Sequence, residues 1–448
     1  MATRIKDMTQ GMPMRLLISF SMPLMLGNVF QQMYTVVDTI VVGKTLGVSA
    51  LAALGAADWL NWMMLSIIQG LTQGFGILIA KEFGARRYDS LKQVVGHSLM
   101  LSLLLSGALL ALGQGLALPM LKLLQTPQEI LEDALQYLRI MFWGVPVVMA
   151  YNLLACVLRA LGNARTPLNA MIVASFTNIG LDVLFVVVFG WGIAGAAIAT
   201  VIAQLVSGVF CLVRILKVDI LKLKSGDFRL SGRMSKELML LGTPVALQNA
   251  MISVGGLIVQ TVVNGFGVIF IAGFTAASKL YGVLEIAATS YGYAMITYAG
   301  QNLGAGRVDR IRQGMKAANL VAVVTSALIA LVMLVFGKVI LGMFISGTPE
   351  EVEQAMKVAY RYLSTMSICL PVLYILHVMR SAIQGMGNTV LPMASGVAEF
   401  VMRATAAILL PLAVGESGIF YAEILAWLGA DAVLIPSYFF VIRRLNRK

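Results

Sequence analysis

Four oxygen-bearing side chains stand where the surrounding chain is otherwise apolar. Asp38 is the only charge between Arg15 and Lys44, and Asp182 is the only charge between Arg165 and Arg214. Asn178 lies four residues before Asp182, a spacing that puts both on one face of a helix. Thr200 follows a glycine-rich turn, in the next apolar run. Two carboxylates, an amide oxygen and a hydroxyl make an oxygen cage for a hard monovalent cation such as Na⁺, since hard cations take oxygen ligands. The same groups make a proton site, because two close carboxylates in a low-dielectric pocket cannot both ionise cheaply. The alternative is a static hydrogen-bonded polar core. An acid inside a membrane is costly enough that function is its default reading.

The second half of the chain carries a different set. Glu399 and Arg403 are four apart, which reads as an ion pair on one helix face. Glu423 stands opposite Thr200 when Gly195 is aligned with Gly418, and Lys279 and Glu285 share one apolar run. These five residues are candidates to line a pathway, as is Asp431; Asp58 reads as interface. Gln248, Tyr281 and Tyr374 are candidate polar contacts in a substrate cavity. The chain has 27 methionines; core filling and a flexible, Met-lined pocket both explain such an excess.

Other chemistry finds little support. Gly190, Gly192 and Gly195 fit a dinucleotide fingerprint, but that motif needs a preceding strand; here the glycines read as a tight turn between apolar runs. Gly43-Lys44-Thr45 imitates the end of a phosphate-binding loop whose leading glycine is replaced by Asp38. Two histidines, His97 and His377, make a histidine metal site improbable and read as satisfied interior residues. Cys156, Cys211 and Cys369 show no disulfide or zinc spacing. No catalytic constellation emerges, so the chain is expected not to be an enzyme and to need no cofactor beyond Na⁺ or H⁺ as coupling ion.

The elements that must hold these residues follow from composition. Of 448 residues, 59% are hydrophobic and 12% charged, against about 25% charged in soluble domains. A run of about 20 apolar residues spans a bilayer, and such runs fall at roughly 15–42, 50–79, 93–120, 132–158, 166–189, 193–214, 238–264, 268–298, 314–338, 354–384, 389–413 and 418–442. Twelve transmembrane helices result, in an all-α membrane protein. Pro23, Pro146, Pro244 and Pro371 lie within spans, and each predicts a kink. The net charge is +12, concentrated in alternate loops as the positive-inside rule requires. One side holds Arg4, Lys6 and Arg15, Lys81 to Lys92, Arg214 to Lys236, Arg307 to Lys316, Arg380, and Arg443 to Lys448. Both termini are therefore expected in the cytoplasm, and the basic excess needs no nucleic acid.

The chain also repeats itself. Gly84, Arg87, Asp89 and Gln93 recur as Gly304, Arg307, Asp309 and Gln313; Gly162, Asn163 and Pro167 recur as Gly387, Asn388 and Pro392; Pro23 and Asn28 recur as Pro244 and Asn249. The offset is near-constant, giving two six-helix lobes, 1–222 and 223–448, joined by the basic loop near 215–236. Six spans apiece give both lobes one orientation, the parallel repeat of many secondary transporters. The repeat does not extend to the acids: Val259 falls opposite Asp38, and Ala407 opposite Asp182.

With SMPLMLGNVFQQMYTVVDTIVVGKTLG (21–47), GNARTP (162–167), TNIGLDVLF (177–185), GWGIAGAAIAT (190–200), GQNLGAGR (300–307) and GMGNT (385–389), the chain resembles the bacterial multidrug and toxic compound extrusion (MATE) transporters. These segments are spread over nearly the whole chain. The resemblance implies two six-helix lobes, exchange of Na⁺ or H⁺ for amphiphilic, mostly cationic small molecules by alternating access, and a bacterial inner-membrane location as a monomer. It carries the family's N-lobe cation site onto Asp38, Asn178, Asp182 and Thr200. Some members hold an acid in the seventh span; this chain has Gln248 and Asn249 there. Glu285, Glu399 and Arg403 resemble features of the bacterial branch without an assigned role. The runner-up expectation is a lipid-linked precursor flippase of the same superfamily, which would favour a strongly cationic cavity.

Overall fold

The computed structural model describes residues 5–345 and 348–447, with Val48 described by its backbone alone. Arg4 and Lys448 lie outside the described residues. Thirteen α-helices and no strand occur among the described residues: α1 (Pro13–Leu46), α2 (Val48–Gly84), α3 (Tyr88–Leu123), α4 (Gln128–Trp143), α5 (Val145–Ala160), α6 (Arg165–Asp182), α7 (Gly192–Ile215), α8 (Gly232–Val263), α9 (Val268–Gly304), α10 (Val308–Leu341), α11 (Pro349–Gly385), α12 (Val390–Val414) and α13 (Phe420–Asn446). Eleven are long and apolar enough to cross a membrane; α4 and α5, bent by 48° at Gly144, form the twelfth span when taken together. This is the all-α, twelve-span architecture read from the sequence.

Two properties of these helices follow from a lipid solvent. Their outer faces are apolar: Leu103, Leu104, Leu112 and Leu116 on α3, and Leu328, Leu331, Val335 and Val339 on α10, are each more than half exposed. In water so large an apolar surface would drive association; in a bilayer it is the solvated face. Their inner faces are small and polar. Ser98, Ser102 and Ser106, at four-residue spacing along α3, are all buried. Small residues let membrane helices approach closely, where dispersion and hydrogen bonding must replace the hydrophobic effect. Helices α2 and α8 approach closely. A Cβ on Gly70 would lie 2.5 Å from the Ala246 Cα, and one on Gly74 would overlap the Gly242 backbone.

The proline expectations divide. Pro146 stands just past the bend at Gly144, whose missing Cβ makes room for Val201. Pro23, Pro244 and Pro371 lie inside α1, α8 and α11, which run through them as continuous helices. The kinks expected at these three do not break the helices, since membrane helices tolerate proline when neighbours satisfy the freed carbonyl. A departure that the sequence did not signal follows Asp182, where α6 passes into a π-helical turn, Val183–Val188.

The chain packs as two compact units. The first comprises Met1–Met8 and Met22–Ala246, and the second Thr9–Ser21 and Leu247–Lys448. In the first, the core gathers Phe75, Ile79, Leu91, Leu153, Leu158, Leu161 and Leu238. The basic connecting loop docks on α3. A Cβ on Gly96 would collide with the Asp227 carbonyl, and His97 Nε2 accepts the Ser231 N–H at 3.1 Å while lying 3.1 Å from Ser235 Oγ. His97 is thus a satisfied interior histidine. In the second unit, Tyr298 donates to the Arg310 carbonyl at 2.9 Å, and the Arg307 and Arg310 guanidiniums donate to the carbonyls of Thr9 and Gly11.

The repeated motifs are helix-termination devices. In Gly162-Asn163 the glycine takes φ +80°, ending α5, and the Asn163 carboxamide oxygen accepts the Thr166 N–H at 3.0 Å, starting α6. Gly387-Asn388 does the same between α11 and α12, with φ +81° and a 3.1 Å bond from the Leu391 N–H. A left-handed residue closes the first helix, and an asparagine just before the N-cap accepts an N–H of the second helix's first turn, so one dipeptide reverses the chain. The Gly84 and Gly304 motifs share a second device. Gly306 has φ +71°, and its counterpart Arg86 has φ +56°, with matching bonds Arg86 N–H to Phe83 and Gly306 N–H to Leu303.

Candidate functional site

Helix α1 runs alongside α6 in the same direction. Gly27 faces Leu168 at 3.8 Å, and the Ser175 hydroxyl donates to the Phe30 carbonyl at 3.3 Å. Eight residues beyond Phe30 comes Asp38, and seven beyond Ser175 comes Asp182. At equal rise per residue the two carboxylates lie at nearly the same level. One turn further on, Val42, Val186 and Ala196 pack in a common cluster. Each is four residues from Asp38, Asp182 and Thr200 respectively, so the site is bracketed on both sides by packed contacts. Helix α7 returns antiparallel to α6 after the tight turn at Gly190 and Gly192, whose φ values are +67° and +62°. The turn is clamped by Phe185, Phe189 and Trp191, with ring centroids 4.7 to 6.1 Å apart. The glycine motif is therefore the turn expected, and it delivers Thr200 to α6, where the Asn178 amide donates to Thr200 Oγ1 at 3.4 Å.

The four residues read from the sequence thus come from α1, α6 and α7 of one unit. Asp182 and Asn178 are fully buried, Asp38 is 7% exposed, and Thr200 is half-buried. The decisive feature is hydrogen bonding. Asp38 Oδ1, Asn178 Oδ1 and both carboxylate oxygens of Asp182 are buried without a partner. Native proteins pair nearly all buried polar atoms, and a clustered exception calls for an explanation. Four buried acceptors with no donor fit a cation or a proton, and the set of two carboxylates, an amide and a hydroxyl suits a hard monovalent ion. Among the described residues no three His, Cys, Asp or Glu side chains gather as for a transition metal.

The sequence left two neighbours unread. Tyr34, which hydrogen-bonds the side chains of Gln31 and Gln204, feels the charges of Asp38 and Asp182. Buried Tyr137 feels those two and Asp58. A tyrosine in an apolar run carries no signal that separates it from core. Asp58, on an exposed stretch of α2, acts electrostatically on Asp38.

In the second unit the expected pair is present, within a larger network. Glu399 Oε1 accepts from Arg403 Nη2 at 2.8 Å, and its Oε2 accepts from Arg380 Nη2 at 2.5 Å. Arg403 Nη2 also reaches Glu423 Oε2 at 2.8 Å, and its Nη1 donates to the Ile252 carbonyl at 3.3 Å. Arg380 was counted above among the loop cations. It is instead buried on α11, and the signal was its place inside the 354–384 span. Glu285 pairs with His377 at 3.3 Å, while Lys279 is exposed on α9. Of the cavity candidates, Tyr374 is fully buried and donates to the Leu284 carbonyl at 2.7 Å. Gln248 is buried and accepts from Gln384 at 3.2 Å. Tyr281, half-buried, stacks on Trp427 at 6.0 Å.

Comparison with known proteins gives one answer. The MatE family model matches residues 23–184 and 244–409, one match in each half. The chain is 31% identical over 363 residues, 80% of each chain, to the probable multidrug resistance protein YpnP of Bacillus subtilis. It is 23% identical over 427 residues, 94% of this chain and 89% of the other, to the probable multidrug resistance protein NorM of Thermotoga maritima. A crystal structure of a MATE protein in complex with MaL6 superposes with a TM-score of 0.92 at 22% identity, covering 100% of both chains.

Proposed function

The chain belongs to the MatE family of multidrug and toxic compound extrusion transporters, and on that premise we propose that it is a cation-coupled antiporter, exporting amphiphilic, mostly cationic small molecules by alternating access. The observation that carries the coupling is the set of buried, unpartnered oxygens on Asp38, Asn178 and Asp182 beside Thr200. Na⁺ or H⁺ taken up there offsets one negative charge of two carboxylates that share one low-dielectric site and cannot both ionise cheaply. Loading frees α1 to bend at Pro23 or above it, because the attraction of a shared ion replaces the repulsion between Asp38 on α1 and Asp182 on α6. To move a conformational equilibrium from 1:99 to 99:1, binding must differ between states by about 5.5 kcal/mol.

The bilayer is the solvent of this protein, and the small-molecule cargo is its partner. We place it in the bacterial inner membrane as a monomer, with both termini cytoplasmic, on the segregation of Lys and Arg to alternate loops. The flippase reading is not favoured. Buried Arg380 and Arg403 are already engaged by Glu399 and Glu423, and Lys279 is exposed, so the described residues of the second unit offer no cluster of free buried cations for an anionic headgroup.

Efflux of a cationic fluorescent dye from proteoliposomes, under an imposed Na⁺ or pH gradient, tests the proposal. One of the two gradients drives dye efflux in the wild type, and Asp38→Asn removes the response. Dye movement indifferent to both gradients would defeat the coupled reading.

A further inference from the structure

Another buried acid stands apart from the proposed coupling site, on α13. Asp431 is 7% exposed, and its Oδ1 has no hydrogen-bond partner. Glu423, Trp427 and Asp431 follow at four-residue spacing, so they share one face of α13. That helix packs on α11 and α12. From α11 come Arg380 and His377, and from α12 come Glu399 and Arg403. Arg380 and Glu399 act electrostatically on Asp431. Helix α10 meets α13 at few points, and its Arg312 acts electrostatically on Tyr438.

Charge balance decides the state of this acid. The two guanidiniums of Arg380 and Arg403 are matched by the two carboxylates of Glu399 and Glu423 in the closed network. Glu285 is separately paired with His377 and partly exposed. An ionised Asp431 therefore adds one uncompensated negative charge to a buried, balanced cluster. Such a charge is strongly disfavoured, and a buried acid then neutralises. The network also contains a complementary vacancy among donors. Arg380 Nε, like Arg403 Nε, is buried without an acceptor.

We propose that Asp431 is a second protonation site, in the second unit: it holds a proton while the Arg380–Glu399–Arg403–Glu423 network is closed, and its ionisation draws Arg380 from Glu399. The carboxylate formed on proton loss is an acceptor for the unpartnered Arg380 guanidinium nitrogen, so it competes with Glu399 for one cation. Because Glu399 ties α12 to α11 through Arg380, and Arg403 ties α12 to both α13 and the Ile252 carbonyl, the proton on Asp431 sets how tightly these elements are pinned. The site goes beyond the proposed coupling function and does not depend on it.

Infrared difference spectroscopy of the full-length protein in lipid, with exchange between H₂O and D₂O, reads protonated carboxyls without requiring transport. It is run in an Asp38→Asn, Asp182→Asn background, which silences the coupling site. At neutral pH a protonated-carboxyl band is expected there, and Asp431→Asn removes it while helical content and elution as a single species are kept. Glu399→Gln gives the independent check. It leaves two guanidiniums against one carboxylate, so Asp431 ionises and the band disappears although Asp431 is present. A neutral-pH spectrum unchanged by Asp431→Asn would overturn the proposal. A band surviving Glu399→Gln would overturn the charge-balance argument on which it rests.

Discussion

Both carboxylate oxygens of Asp182 are buried and unpartnered, whereas the carboxylate of Glu399 is held by two arginines. Under the proposed coupling, that contrast separates an acid kept available for a mobile ion from one fixed in place. It predicts unequal mutational effects around the first site. Asp38→Asn and Asp182→Asn each remove a charge that the cation must meet, so each is expected to reduce gradient-driven efflux to the background of empty liposomes. Thr200→Ala removes one neutral oxygen, which already receives the Asn178 amide at 3.4 Å. Losing a single hydrogen bond or ligand of this kind costs about 1 kcal/mol, so the cation concentration for half-maximal efflux should rise about five- to tenfold with the maximal rate kept. A dose–response in cation for the three variants checks the order. The aspartates were legible in the sequence because a lone charge in an apolar run is conspicuous. Tyr34 and Tyr137 were not, since tyrosine is at home both in core and in a polar network. Arg380 was misread because a basic residue near a span end looks like a loop cation until its partner Glu399 is placed beside it.

Element by element, the repeat is most visible where the chain turns. The pairing of Gly162-Asn163 with Gly387-Asn388 was readable as a motif, and the structure supplies its cause: a left-handed residue followed by an asparagine whose side chain accepts an N–H of the next helix's first turn. The Arg86 and Gly306 pair yields a prediction. Both occupy left-handed φ, which costs a non-glycine residue about 1–2 kcal/mol. Gly306→Ala has no steric obstacle, as nothing lies within 4 Å of the added Cβ, so its effect isolates the backbone term. It should destabilise the protein by about 1 kcal/mol, and Arg86→Gly should stabilise it by a similar amount. The Arg86–Asp7 pair at 3.5 Å is exposed, so its loss should subtract little. Thermal unfolding midpoints in detergent, compared with wild type, read both. The π turn after Asp182 was not foreseeable from apolar composition, because Val-Leu-Phe-Val-Val-Val suits an α-helix as well. At Pro23, Pro244 and Pro371 the helices continue through the proline: proline marks where a helix loses a bond, and packing decides whether it breaks.

For the whole molecule, span number and repeat were written in the hydropathy pattern and in recurring turn motifs, and the two halves differ in the residues at the positions aligned with Asp38 and Asp182. The first half keeps Asp38 and Asp182; the second places Val259 and Ala407 at the aligned positions and builds an arginine–glutamate network elsewhere. Topology is testable directly. In a background lacking Cys156, Cys211 and Cys369, a membrane-impermeant thiol reagent added to intact cells should modify Ser417→Cys. Ser225→Cys, in the basic connecting loop, should react only after the cells are opened. Labelling of Ser225→Cys from outside would reverse the orientation.

The central claim, that the Asp38–Asp182 site couples cation entry to substrate exit, is met most directly by running the exchange from the other side. Proteoliposomes are given a gradient of dye alone, and the counter-movement of Na⁺ and of H⁺ is followed with a radioactive tracer and a pH-sensitive probe. The account predicts that dye leaving by the transporter drives one of these cations the opposite way, and that Asp182→Asn abolishes this counterflow. Dye exit with no movement of either cation in the wild type, or counterflow that persists in Asp182→Asn, would contradict it.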